Sequence, residues 1–228
     1  MTLPRPYLDW WMAVLGEPPP TESLATCHDC PMCRERAFLP SIKCCGYVPA
    51  LPSFRAGDAL RAGGEPAEFV TRRLTTGRAT DAWLLPTDAE EAAYDRTRMR
   101  FGQTNGSKCA YVTERGTCGI WAQRNATCAT WFCKHDHGPV GAALWDAASD
   151  LFRFAEGGVA VLCTDDAHTT PDPATRYRQA SERAESVTWS RLQALGGDEL
   201  ADLEDALRAA WTAWKACEAA RSRPTPPA

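Results

Sequence analysis

No apolar stretch in the chain approaches the roughly 20 residues that a membrane-spanning helix requires, so no span is expected. Charge of one sign is not in excess either. There are 25 lysines and arginines against 29 aspartates and glutamates, a formal net charge of −4. That balance gives no general attraction to nucleic acid or an anionic membrane, so neither is an expected partner. The chain has no G-x-x-x-x-G-K-[ST] phosphate loop, no G-x-G-x-x-G turn, no H-E-x-x-H pair and no C-x3-C-x2-C radical-SAM spacing. It also shows no internal repeat. The apolar run Leu8 to Leu15 is short, contains Asp9, and lacks both a strong basic flank and a clear small-residue cleavage site. It reads as a packed segment rather than a signal peptide, and a cytoplasmic location is expected.

Cysteine is abundant: the 228 residues hold 11. Nine of them fall in two groups. The first is Cys27, Cys30 and Cys33 in CHDCPMC, followed by the pair Cys44-Cys45. The second is Cys109, Cys118, Cys128 and Cys133, spaced C-x8-C-x9-C-x4-C. A reducing compartment keeps thiols free, so such clusters read as ligands or redox groups rather than disulfides, and the odd total agrees. Cys163 and Cys217 stand apart and read as core residues.

Thiolates bind zinc or iron strongly. Zinc takes four ligands in a tetrahedron, and an iron–sulfur cubane usually takes four thiolates. A CxxC spacing lets two sulfurs converge on one metal or cluster, and CxxCxxC adds a third. The bacterial ferredoxin run needs a fourth cysteine where Ala37 stands, so the fourth ligand of the first group comes from farther away. Adjacent side chains diverge, so Cys44 and Cys45 are expected either to serve different sites or to include one bystander. His28, His135 and His137 lie beside the cysteines and could replace a thiolate, but they read mainly as surface or supporting residues. Arg34, Arg36, Lys43, Lys108, Arg124 and Lys134 flank the groups and could offset the negative charge of bound thiolates. Trp121 and Trp131 are candidates for shielding a metal from water. Asp165, Asp166 and His168 read as a solvated loop.

The expected fold is mostly α, with irregular metal-organised cysteine loops, a short β-hairpin and a helical C-terminal region. Pro31, Pro40, Pro49 and Pro52 exclude a long helix through the first group. A helix is expected to start near Pro6, another after Gly63-Gly64, and a third at Thr87 or Asp88. CAYV and GTCGIW suggest the hairpin. Leu144, Trp145, Ala148, Leu151, Phe152 and Ala155 form one helical stripe that Gly157-Gly158 is expected to end, with VAVLC following as a buried strand. Two last helices, about 174–195 and 198–221, are expected on either side of Gly196-Gly197. Leu200, Leu203, Leu207, Trp211, Trp214 and Cys217 mark one face of the second. The expected domains are a cysteine-cluster region over 1–137, with a helical insertion over 58–104, and a helical region over 138–228 packed on it.

The second cysteine group carries a resemblance. Cys109-Ala110-Tyr111-Val112, Cys118-Gly119-Ile120-Trp121, Arg124, Cys128 and Cys133, with Cys44-Cys45 upstream, resemble the YkgJ-type cysteine-cluster family. That family is described as zinc- or iron-chelating and includes flagellin lysine-N-methylase. The likeness covers about residues 24–137. Ten residues separate Cys33 from Cys44, more than in the family pattern, and Asn125 stands where the family has proline. The resemblance implies metal binding and no single reaction. The resulting expectation is an iron–sulfur protein of the 4Fe-4S type, bound by Cys27, Cys30, Cys33, Cys44, Cys45, Cys109, Cys118, Cys128 and Cys133. It would act in redox chemistry or electron transfer, with a protein or peptide as the class of partner or substrate. The alternatives are a zinc-stabilised interaction module without catalysis and a metal delivery protein.

Overall fold

The structure is a computed structural model that describes residues 3–21, 30–131, 137–164 and 172–222. Cys27, His28, Cys133, Lys134, His135, Asp165, Asp166 and His168 lie outside the described residues.

The N-terminal helix α1 (Arg5–Leu15) starts where Pro6 suits a first turn. Tyr7, Trp10, Trp11 and Val14 recur at helical steps and are buried. They pack into a core with Leu144, Trp145, Ala148, Leu151 and Phe152 of α7 (Gly138–Leu162), and with Leu200, Leu207 and Trp211 of α9 (Trp189–Arg221). Phe54, Ala126 and Ala129 join the same cluster. Full burial of one such aliphatic or aromatic side chain contributes about 1.5–3 kcal/mol. Trp11 meets Trp145 and Trp211 at ring-centroid distances of 5.7 and 5.5 Å, so α1 is clamped between α7 and α9.

A second core joins α3 (Ser53–Ala62), α4 (Gly64–Thr76) and α8 (Pro173–Ala184) to a small sheet. Its strands are β1 (Leu51–Pro52), β2 (Arg78–Ala79) and β3 (Trp83–Leu85), antiparallel in the order β1-β3-β2. The helices α3 and α8 touch backbone to backbone at Gly57. A Cβ at Gly57 would lie 1.8 Å from the Tyr177 carbonyl oxygen, so only glycine permits that approach. Between β3 and the cysteine run stands α5 (Asp88–Thr97), which begins with a capping box. Thr87 Oγ1 accepts from Glu90 N, and Glu90 accepts from Thr87 N.

The mostly α fold and the helical C-terminal part are as expected, and five local features differ. Gly157-Gly158 does not end α7, which continues to Leu162 and includes the VAVL segment read as a strand. Leu192 of α9 packs there, 3.0 Å from where a Gly158 Cβ would stand, so the glycine serves close helix packing. The expected helix over 174–195 breaks early: α8 ends at Ala184 and α9 begins at Trp189, with Thr188 Oγ1 capping Arg191 N at 3.3 Å. Gly197, in a left-handed conformation (φ 52°), kinks α9 instead of separating two helices. The stretch 58–104 contains β2 and β3 as well as helix. Finally, the hairpin reduces to one antiparallel bridge, Val112 with Cys118.

Candidate metal centre

Among the described residues, five cysteines line one cavity of about 80 Å³: Cys44, Cys45, Cys109, Cys118 and Cys128. They come from three separate segments. Cys44 and Cys45 sit in a turn where Lys43 adopts a left-handed conformation (φ 55°) and Cys45 N donates to Ile42 O at 2.9 Å. Both adjacent cysteines therefore border the same space from different points on its wall. The turn is tied to the second group through main chain, with Cys109 N donating to Cys45 O at 2.9 Å. Ser107 Oγ also donates to Gly46 O at 2.6 Å.

Cys109 and Cys118 stand on the two arms of the Val112–Cys118 bridge. Gly119 N donates to Tyr111 O at 2.8 Å, and Lys43 Nζ holds the loop tip by donating to Gly116 O at 3.0 Å. Both cysteines pack against the second core, beside Tyr111 and Ile120.

Cys128 lies on the short helix α6 (Ala126–Thr130). Asn125 caps this helix, its Oδ1 accepting from Cys128 N at 3.0 Å while its Nδ2 donates to Ala50 O at 3.0 Å. Asn125 thus ties α6 to the segment behind Cys45. The Cys128 thiol also pairs with the Tyr47 hydroxyl at 3.5 Å.

Beneath α6 lies a buried polar cluster that sequence reasoning missed. Glu156 of α7, 3% exposed, accepts from Ala126 N at 2.9 Å and meets the Tyr7 hydroxyl. The same hydroxyl lies 2.9 Å from Arg124 O. One hydroxyl proton cannot serve both a carbonyl and a carboxylate. Two acceptors around Tyr7 Oη require a second proton, and a protonated Glu156 supplies it. Burial raises the Glu156 carboxyl to about 7, which agrees with that proton count. Arg55, also buried, donates to Ala122 O at 2.6 Å and pairs with Asp58. Tyr7, Arg55 and Glu156 therefore fasten 122–126 from three helices. The signal in the sequence was Glu156 itself, one turn beyond Phe152 on an otherwise apolar stripe.

Burial raises the Cys109 thiol well above its ordinary value, and nearby Cys128 and Cys118 add to the shift. The Tyr47 hydroxyl is raised mainly by burial and then by Cys128. This cavity disfavours bare thiolate and would hold several together only with a cation among them. Two cationic side chains, Lys43 and Arg124, border it. The Arg124 guanidinium stacks 3.4 Å from the Trp121 ring centroid and donates to Trp121 O at 2.8 Å. Trp121 and Trp131 are 36% and 52% exposed, so they stand at the cavity mouth rather than sealing it.

Other expected residues lie elsewhere. Cys30 caps the short helix α2 (Pro31–Arg34), which carries Cys33, and neither is among the cavity residues. His137 pairs with Glu218 and meets the Trp214 ring in a tilted contact at 4.4 Å, away from the cavity. Arg34, Arg36 and Lys108 do not line it. Cys163 is buried in the first core and Cys217 is half-buried on α9. None of the described cysteines is in a disulfide. Among the described residues, no three histidine, cysteine, aspartate or glutamate side chains meet closely enough to hold a single metal ion. No protein-family model, curated protein or solved structure matches this chain.

Proposed function

We propose that the cysteine cavity holds an iron–sulfur cluster and that the protein works in redox chemistry or electron transfer. The observation that carries this reading is the convergence of Cys44, Cys45, Cys109, Cys118 and Cys128 on one small, largely apolar cavity. The donor set fits the group: all five are thiols, and Lys43 and Arg124 stand where they offset the charge of a thiolate-bound cluster.

A cluster is favoured over one zinc ion by the number and spacing of the thiols. Structural zinc sites favour compact C-x-x-C knuckles. The second group has none, its gaps being eight, nine and four residues, and such gaps suit thiolates reaching separated irons. When bound, it would supply one-electron transfer. The chain's own part is to anchor the ligands through Asn125, Tyr47 and the Cys45–Cys109 main-chain bond. The second core would keep water from one side of the cavity. The resemblance of the second cysteine group to iron- or zinc-chelating proteins supports metal binding without choosing between the two, and a protein or peptide remains the proposed class of partner.

The test is metal content in single variants. Alanine at Cys109, Cys118 or Cys128 should remove most of the bound iron, whereas Cys163→Ala should retain it. Full iron in the Cys128→Ala protein, or loss in Cys163→Ala alone, would contradict the assignment.

A further inference from the structure

A second, larger groove of about 840 Å³ adjoins the cysteine cavity and shares Tyr47, Pro49, Asn125 and Trp131 with it. Its size is within the range of small-ligand sites, about 300–1,000 Å³. Two features set its chemistry. One is aromatic: Tyr47, Trp83, Tyr94, Phe101 and Trp131 line it. Two pairs of these rings are in contact, Tyr47 with Tyr94 and Phe101 with Trp131, each at 5.8 Å. The other is acidic. Asp150, Glu156 and Glu199 face the groove against one cation, Arg153, which lies 3.9 Å from Asp150.

Glu156 makes this more than a solvated cluster of acids. It is 3% exposed, yet it lines the groove. Both of its protein contacts fall on Oε1, from Tyr7 and Ala126 N, which leaves Oε2 to accept from a visitor. Oε2 accepts whether or not the carboxyl is protonated. Aromatic faces attract cations and disfavour anions.

We propose that this groove binds a small organic cation carrying N–H donors, an alkylammonium or guanidinium. One positive head would lie among the rings and donate to Glu156 Oε2. A second positive group would meet Glu199 or Asp150 at the rim. The ligand would then sit beside Trp131 and Tyr47, next to the thiols. The site depends on its rings and carboxylates, and it stands whether or not the thiols hold a cluster.

The probe is agmatine, with a guanidinium at one end and an ammonium at the other, titrated calorimetrically into the full chain at low ionic strength. Saturable binding is expected, and glutarate, an anion of similar length, should give none. Added salt should weaken the agmatine binding. Glu199 and Trp131 are exposed, so Glu199→Gln and Trp131→Leu should leave the fold intact, which unchanged melting temperatures would verify. Each should weaken agmatine by roughly three- to tenfold, while the iron content of Glu199→Gln stays at the wild-type value. Absence of agmatine binding at millimolar concentration, equal binding of glutarate, or unchanged affinity in both variants would overturn the proposal.

Discussion

Replacing Glu156 by glutamine tests the buried polar cluster that fastens α6 beneath the cysteine cavity. Burial raises this carboxyl from the ordinary 4.5 to about 7. Below pH 4.5 the group is protonated in both folded and unfolded chains, and its contribution to stability is complete. Between pH 4.5 and about 7 the folded protein keeps a proton that the unfolded chain has released, so stability falls as pH rises. Above about 7 the folded protein must bury a carboxylate, and the contribution is gone. The shift corresponds to a swing of about 3 kcal/mol across that window. Glutamine keeps an oxygen to accept from Ala126 N and does not titrate. Urea unfolding followed by tryptophan fluorescence, at several pH values between 4.5 and 8, measures both proteins. The wild type should lose stability relative to Glu156→Gln by about 3 kcal/mol over this range. Differencing the two removes the contributions of all other groups. Parallel profiles, or a wild type that gains on the variant as pH rises, would refute the proton count around Tyr7.

Three further outcomes follow from named contacts. Gly57→Ala should cost about 3 kcal/mol, because its Cβ would fall 1.8 Å from the Tyr177 carbonyl and push α3 from α8; a melting temperature within experimental error of wild type would contradict the close approach. Asn125→Ala should cost about 1–2 kcal/mol by removing the α6 cap and the bond to Ala50 O, and should lower cluster occupancy measured by visible absorbance. Thr87→Ala should cost about 1 kcal/mol through loss of the capping box and leave the cluster absorbance unchanged, which separates α5 from the centre.

The helices were legible where local chemistry and packing agree. The apolar stripe from Leu144 to Ala155 and the Thr87 cap both led to helices that the structure contains. The errors arose where tertiary contacts override local preference. Val159, Val161 and their neighbours favour strand by composition, yet the last turn of α7 there buries Val159 and Ala160 in the core. Gly157-Gly158 looked like a stop but sits where Leu192 crosses closely. The chain turns at 185–188 so that α8 can lie on α3 while α9 lies on α7, a requirement no local pattern announces. The three strands total seven residues, too few to show a period of two.

At the centre, the cysteine spacings drew attention to the second group, of which Cys109, Cys118 and Cys128 line one cavity. They could not show that Cys44-Cys45 joins it while Cys30 and Cys33 stay outside the cavity. That outcome depends on the turn at Lys43 and the Cys109–Cys45 main-chain bond, which join residues 64 positions apart. Tyr7, Arg55 and Glu156 lie in three different helices, and only folding brings them together under α6.

The cysteine cavity's occupant is the central claim, and one measurement addresses it most directly. Protein purified without oxygen should be assayed for iron, acid-labile sulfide and zinc, with Mössbauer spectroscopy on iron-57-enriched material. The account predicts a brown protein with iron and sulfide in equal amounts and cluster-type Mössbauer doublets. Stoichiometric zinc without iron or sulfide, retained after anaerobic reconstitution, would contradict it and favour a zinc-stabilised interaction module.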